Sequence, residues 1–325
     1  MSAAVVVAEI VRSGFVEGHH YGSWVALEAD GSVGAAAGDV HAPMLPRSCN
    51  KPVQALGMLE AGLELPQDRD GDLLALACAS HSGEPFHVEG VRRILAGADL
   101  DEGALQTPKD YPLDEAAREQ VIRSDGERAS ILMNCSGKHA AMLATCVAND
   151  WSTDDYLDVD HPLQRAIAQT FATVTGKPVE HVAVDGCGAP LLSTSLVGLA
   201  RAFAHIATAT EGPAARIAAA VRAHPEFVSG SARDELTLLR AIPGSIGKAG
   251  AESCYVVALP DGRAFATKTD DGGARARPVV MAALLELSGV TTEPGVDGDA
   301  VRRTGRAVLL GGGRPVGEIR AVGLD

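Results

Sequence analysis

Cysteine is sparse in this chain: six in 325 residues, at 49, 78, 135, 146, 187 and 254, and no two have C-x-x-C spacing. So few thiols in so long a chain exclude a disulfide framework. Lysine is equally scarce, six against 22 arginines, and the formal charge is -14. No basic stripe with interleaved aromatics offsets that balance, which excludes nucleic acid as a partner. No apolar run approaches the roughly 18 residues of a membrane helix. The amino end, "MSAAVVVAEIVRSGF", lacks a basic leader and is interrupted by Glu9, so it reads as a strand and not a signal peptide. The expectation is a soluble, cytoplasmic protein with no membrane partner. Also missing are a G-x-S-x-G elbow, a P-loop, an H-E-x-x-H helix and a G-x-G-x-x-G after a strand, which sets aside the reactions those motifs serve.

What is present begins with a 46% hydrophobic content, enough for a large core in one large domain or two lobes. β-rich segments sit at both ends. "AVVVAEIVRSG" and "SWVALEAD" form one hairpin signal, the second segment ending in the turn Ala29-Asp30-Gly31-Ser32. "CYVVALPDGRAFATKTDDGG" turns at Pro260-Asp261-Gly262-Arg263, and "AVLLGGGRPVGEIRAVGL" turns at the glycines near 311–314. Between them helix signals recur at 52–63, 87–97, 137–148, 161–175, 191–206 and 212–223, and "GARARPVVMAALLELSG" adds a further helix. An exposed loop is expected near 291–301. The pattern predicts an α+β fold: an antiparallel sheet built from both chain ends, packed helices, and a mainly helical lobe. The boundaries fall at 1–47 and 235–325 for the sheet lobe and 48–234 for the helical lobe of one catalytic domain.

Four of the six lysines, Lys51, Lys138, Lys248 and Lys268, lie in Gly/Ser-rich or turn-flanking stretches. Arginine cannot give up its proton, whereas a lysine can shift far enough to act as a base. Ser48-x-x-Lys51 places a hydroxyl and an amine on one helical face, with Pro52 fixing the helix start close to Ser48. That suits a serine nucleophile passing its proton to a neutral lysine, but Ser and Asn are also common helix caps. Lys268-Thr269, near the end of a predicted strand, faces either a cleft or solvent. An early Ser-x-x-Lys with a late Lys-Thr matches the arrangement of serine β-lactamases and penicillin-binding proteins. Ser80, in "ASHSGEPFH", is a turn cap or a second active-site hydroxyl. Cys135-x-x-Lys138 and Cys187, on separate polar turns beside His139 and Asp185, are candidates for a zinc site. Unrelated small residues, or a nucleophilic Cys135 at a helix start, are the competing readings.

Taken in order and spacing, "RSCNKPVQAL", "ASHSGEPFH", "NCSGKHAAML", "VDGCGAPLL" and "ATKTDDG" resemble the L-asparaginase II family, the Rhizobium-type or thermolabile asparaginases, over essentially the whole chain. The family is similar in fold to serine β-lactamases and glutaminases. The chain has no Gly-Thr dipeptide, which excludes the threonine mechanisms of the other asparaginase types. The resemblance implies two serine–lysine pairs, Ser48 with Lys51 and Ser80 with Lys268. It implies zinc on Cys135, Lys138 and Cys187, with Arg47, His139 and Asp185 lining the substrate site, and a homodimer. The expected reaction is hydrolysis of the side-chain amide of L-asparagine to L-aspartate and ammonia, with either serine as nucleophile. The alternatives on these residues are a penicillin-binding-type peptidase, a β-lactamase or a glutaminase, or a non-catalytic zinc- or ligand-binding protein.

Overall fold

A computed structural model describes residues 4–66 and 71–324. Among them the strands are β1 (Val5–Arg12), β2 (Phe15–Leu27), β3 (Val33–Ala37), β4 (Val182–Val184), β5 (Pro190–Leu192), β6 (Ile246–Ala249), β7 (Cys254–Ala258), β8 (Ala264–Thr269), β9 (Ala307–Gly311) and β10 (Arg314–Ala321). The chain divides into two compact units. Met1–Cys49, Thr194–Thr208 and Thr237–Asp325 form the sheet unit, and Asn50–Ser193 with Ala209–Leu236 form a mainly helical one. The helix Leu196–Thr208 groups with the sheet, because its apolar side packs on β2, β7 and β8.

The fold class is α+β with an antiparallel sheet drawn from both chain ends. Eight strands pair in the order β6-β7-β8-β2-β1-β10-β9, with β3 added on β2. The first and last strands are hydrogen-bonded neighbours, from Ala8 opposite Ala321 to Arg12 opposite Gly317. Every residue of β7 is buried. Successive side chains on a strand point to opposite faces, so both faces of the sheet are covered there. The helix Ala276–Leu287 covers one of them. Ala276, Val280 and Leu284, spaced by four, meet Val7, Ala8, Trp24 and Ile319. Met281 and Leu285 meet Tyr255, Val257 and Phe265. Each of the larger side chains among these, the valines, leucines, Met281 and Phe265, contributes roughly 1.5–3 kcal/mol when fully buried.

Two local expectations change. The turn at 29–32 joins β2 to β3, while β1 meets β2 through Ser13 and Gly14, both at positive φ as a tight hairpin requires. β2 therefore reaches back to Phe15 through "VEGHHYG", which has little of the β-branched signal. The stretch 291–301 is not all loop: a helix runs over Gly298–Thr304, its first turn capped by Asp297, whose carboxylate accepts the Ala300 N–H.

In the helical unit, Lys51–Glu60 is buried at all but its last residue and packs on the helices Pro162–Thr175 and Ser136–Ala148. A helix buried all round shows little amphipathic contrast, as its sequence does. No helix among the described residues is long and apolar enough to cross a membrane.

Candidate active site

Lys51 opens its α-helix, with Pro52 beside it in the first turn. The preceding residues Arg47–Asn50 form a 3-10 turn, so Ser48 lies in that turn and the α-helix starts at Lys51. The Lys51 side chain is 1% exposed. Its Nζ donates to the Ala79 carbonyl at 2.6 Å, to Ser80 Oγ at 2.9 Å and to Cys135 Sγ at 3.1 Å. Ser80 is 5% exposed. It lies in an extended stretch after the helix Asp72–Ala77, and its N–H donates to the Val228 carbonyl. Sequence spacing offered Lys51 the hydroxyl three residues before it. The side-chain hydroxyl it contacts within its own unit is Ser80, 29 positions further on.

The helix Ser136–Ala148 brings the sulfur chemistry to the same place. Its second residue is Gly137, where a Cβ would sit 2.7 Å from the Leu76 carbonyl oxygen. Only glycine lets this helix start so close to the segment that leads to Ser80. Cys135 is thereby held against Lys51, and its thiol also reaches Asn134 Oδ1 at 3.0 Å. Cys187 comes from the turn between β4 and β5, where Asp185 N–H donates to the Ala189 carbonyl and Gly188 N–H to the Asp185 carbonyl. Lys138 Nζ lies 3.3 Å from Cys187 Sγ and is itself 1% exposed.

These groups share protons. A hydrogen bond from Cys135 holds the Cys187 thiol far below its ordinary range; burial opposes this, and Lys138 and His139 assist it. Cys135 moves the other way, raised by the same hydrogen bond and by burial. Burial pushes the Lys138 amine down, but the charges of Cys187, Cys135 and Asp185 outweigh it and the net shift is upward. The favoured state is a Cys187 thiolate between a neutral Cys135 thiol and a Lys138 ammonium. Two soft sulfur donors and an amine thus converge beside the buried His139. No group of three or more His, Cys, Asp or Glu side chains there could hold a metal. The cluster fits a thiophilic cation once Lys138 gives up its proton.

His139 is fully buried, its Nδ1 hydrogen-bonded to Tyr156 Oη at 2.7 Å. The phenol oxygen also accepts the Gln106 N–H at 3.3 Å. Burial lowers His139 to about 4. Replacing Tyr156 by phenylalanine is expected to cost about 1–3 kcal/mol, because the buried His139 loses its bond. Urea unfolding of the two proteins measures it. Tyr156 carried no motif in the sequence.

Two stacked histidines, His81 and His87, follow Ser80 in the chain. Ser136 Oγ donates to the Ile131 carbonyl, so His81 Nε2 must donate to Ser136 Oγ, while His81 Nδ1 accepts the Gly83 N–H. His87 stacks on it, ring centroids 5.2 Å apart. Burial lowers His81 well below its ordinary value and His87 to about 4. The unfolded chain therefore binds protons more readily than the native one below about pH 6.5. Stability is full above that pH and falls as the pH drops through 6.5 toward 4, by about 3 kcal/mol for His87. Urea midpoints across pH 4–7 should show this slope, and His87→Gln should flatten it.

The sheet unit holds the other candidates. Lys268 stands on β8 opposite Cys254 and Ser23, and its Nζ donates to the Glu252 carbonyl at 2.8 Å. Arg47, at φ +52°, reaches Glu252 Oε1 at 3.2 Å. The strand end beyond Lys268 is tied down: Asp271 binds His20 and Thr269, and Asp270 N–H donates to the Tyr21 carbonyl. The structure thus gathers Lys51, Ser80, Cys135, Lys138, His139, Asp185 and Cys187 in the helical unit. It gathers Arg47 and Lys268 around Glu252 in the sheet unit. Glu252, like Tyr156, was not singled out by sequence.

A buried lysine on a serine hydroxyl is an arrangement that nucleophilic catalysis can use. The sequence model of the L-asparaginase II family matches residues 8–321. The chain belongs to that family, one of hydrolases acting on amides. Among solved structures it is similar to a β-lactamase from Mycobacterium bovis, with 15% identity, 82% of this chain and 94% of that one covered, and a TM-score of 0.46. It is also similar to the protein Mglu in its native form, with 14% identity, coverage of 86% and 66%, and a TM-score of 0.44. A D-alanine carboxypeptidase from Burkholderia cenocepacia matches at 15% identity, coverage of 82% and 93%, and a TM-score of 0.39. No curated protein matches the chain in sequence.

Proposed function

We propose that the protein is an L-asparaginase that hydrolyses the side-chain amide of L-asparagine to L-aspartate and ammonia. The observation that carries the mechanism is the 2.9 Å contact between Lys51 Nζ and Ser80 Oγ, both buried, in a chain of this family. Ser80 Oγ attacks the carboxamide carbon while its proton passes to the Lys51 amine, which first gives up one of the three hydrogens it donates in the structure. The tetrahedral adduct expels ammonia, which takes that proton back. Water, deprotonated by Lys51, then cleaves the acyl ester to release aspartate. General-base assistance of this kind contributes about 10²–10⁴-fold. The amides of Ser80 and His81 are committed to the Val228 and Asn134 carbonyls, so other donors serve the oxyanion. Ser48, Lys268, Arg47, His139 and Asp185 keep the roles the family resemblance gives them, as supporting pair and substrate contacts.

Zinc belongs to this proposal as an ion held by Cys135, Cys187 and a neutral Lys138. Bound there it would supply a fixed positive charge that orients the substrate and organises the site. Thiolate donors suit such a holding role.

The reading is tested by ammonia release from L-asparagine and L-glutamine, and by turnover of a β-lactam, with wild type, Ser80→Ala and Ser48→Ala. Release from asparagine, lost in Ser80→Ala, supports it. No ammonia from either amide would overturn the function. Full activity in both variants would overturn the mechanism alone. Turnover of the β-lactam without amide hydrolysis would move the chain to the peptidase and β-lactamase class.

A further inference from the structure

Arg47 and Lys268 both touch Glu252. Its backbone carbonyl accepts the Lys268 ammonium, and its carboxylate faces the Arg47 guanidinium. The backbone beneath is unusual. Glu252 and Ser253 both take φ of +54°, a left-handed pair with no glycine in it, and Arg47 opposite is left-handed as well. Glycine or asparagine would make this turn more easily, and a glutamate stands there instead. Gly272, on the loop after β8, leaves room for that side chain: a Cβ there would lie 2.2 Å from Glu252 Oε2. An ion pair this exposed, 57% on the glutamate and 23% on the arginine, adds little to stability, so folding alone does not account for it.

A guanidinium and an accessible carboxylate, side by side next to Lys268, mirror the head of an α-amino acid. The resemblance assigns Arg47 to substrate, where it suits the α-carboxylate. We infer that Glu252 is a specificity-determining residue that binds the α-ammonium group of the substrate. The inference rests on the asparaginase reading and deepens it. An amide that carries a carboxylate but no amino group makes only half of these contacts.

The test compares L-asparagine with succinamic acid, the same molecule without its α-amino group. For wild type and Glu252→Gln, kcat/KM is measured on both, with circular dichroism to confirm that the variant is folded. The preference for asparagine over succinamic acid is expected to fall about 10- to 100-fold in Glu252→Gln, chiefly through KM. Binding of the product provides a readout without turnover: the variant should lose affinity for L-aspartate by a similar factor, and for succinate by much less. An unchanged preference, or equal weakening toward aspartate and succinate, would make Glu252 structural and overturn the assignment. Wild-type protein inert on both amides would overturn the asparaginase reading, and this assignment with it.

Discussion

Ser80→Ala is expected to lower kcat for amide hydrolysis by about 10⁴-fold or more, the usual consequence of deleting an attacking oxygen. The loss should appear in kcat, with binding of L-aspartate kept, because the substitution removes only the hydroxyl from Lys51 Nζ. Lys51 gives the matching result from the other side. Lys51→Met keeps the length of the side chain and removes the base, so kcat should fall about as far. Combining it with Ser80→Ala should add little, since the two act as one unit. Lys51→Arg should fail as well, because a guanidinium cannot accept the proton. Steady-state ammonia release measures all of these. A Ser80→Ala protein that retained more than a tenth of wild-type kcat would move the nucleophile elsewhere, and Ser48→Ala would be the next variant to assay.

The second large effect concerns stability. Cys187 and Lys138 form a buried thiolate–ammonium pair, and removing one member leaves the other charged without its partner. In chelator-treated protein, Cys187→Ala is expected to cost about 3–5 kcal/mol in urea unfolding. Cys187→Ala combined with Lys138→Met should recover much of that, because burying two apolar side chains avoids the stranded charge altogether. If the single variant were as stable as wild type, the ammonium in the favoured state would be wrong. Zinc titrated into wild type and into the double variant, followed by unfolding, then tests the proposed ion. Only the wild type should gain stability with metal concentration.

The elements were legible because their signals are local. Helices expected at 137–148 and 161–175 appear as Ser136–Ala148 and Pro162–Thr175, and the Pro260–Arg263 turn joins β7 to β8. The cysteine–lysine cluster was legible too, since Cys135 and Lys138 share one turn of a helix and Cys187 sits among glycines. Lys51 is different. The partner of its amine is decided by how closely the segment before Ser80 packs on the helix at Gly137, and spacing along the chain carries none of that. Tyr156 and Glu252 had no signal at all: one acts through a hydrogen bond to a histidine 17 positions away, the other through an arginine 205 away. The start of helix 191–206 shifted to Leu196 because Pro190–Leu192 pairs as β5 with Val182–Val184, a contact that apolar content cannot distinguish from a helix.

Lys51 holds a hydroxyl with one hydrogen and a sulfur with another. That makes the protein vulnerable in a way that a serine–lysine pair by itself is not. Peroxide or an alkylating reagent that reached Cys135 would alter the lone pairs facing the amine, and so silence a serine it never touched. Inactivation by a thiol reagent would then imitate the behaviour of a cysteine hydrolase. Because Cys135 is 3% exposed and its thiol is held neutral, such a reagent would act only on a protein whose site had opened.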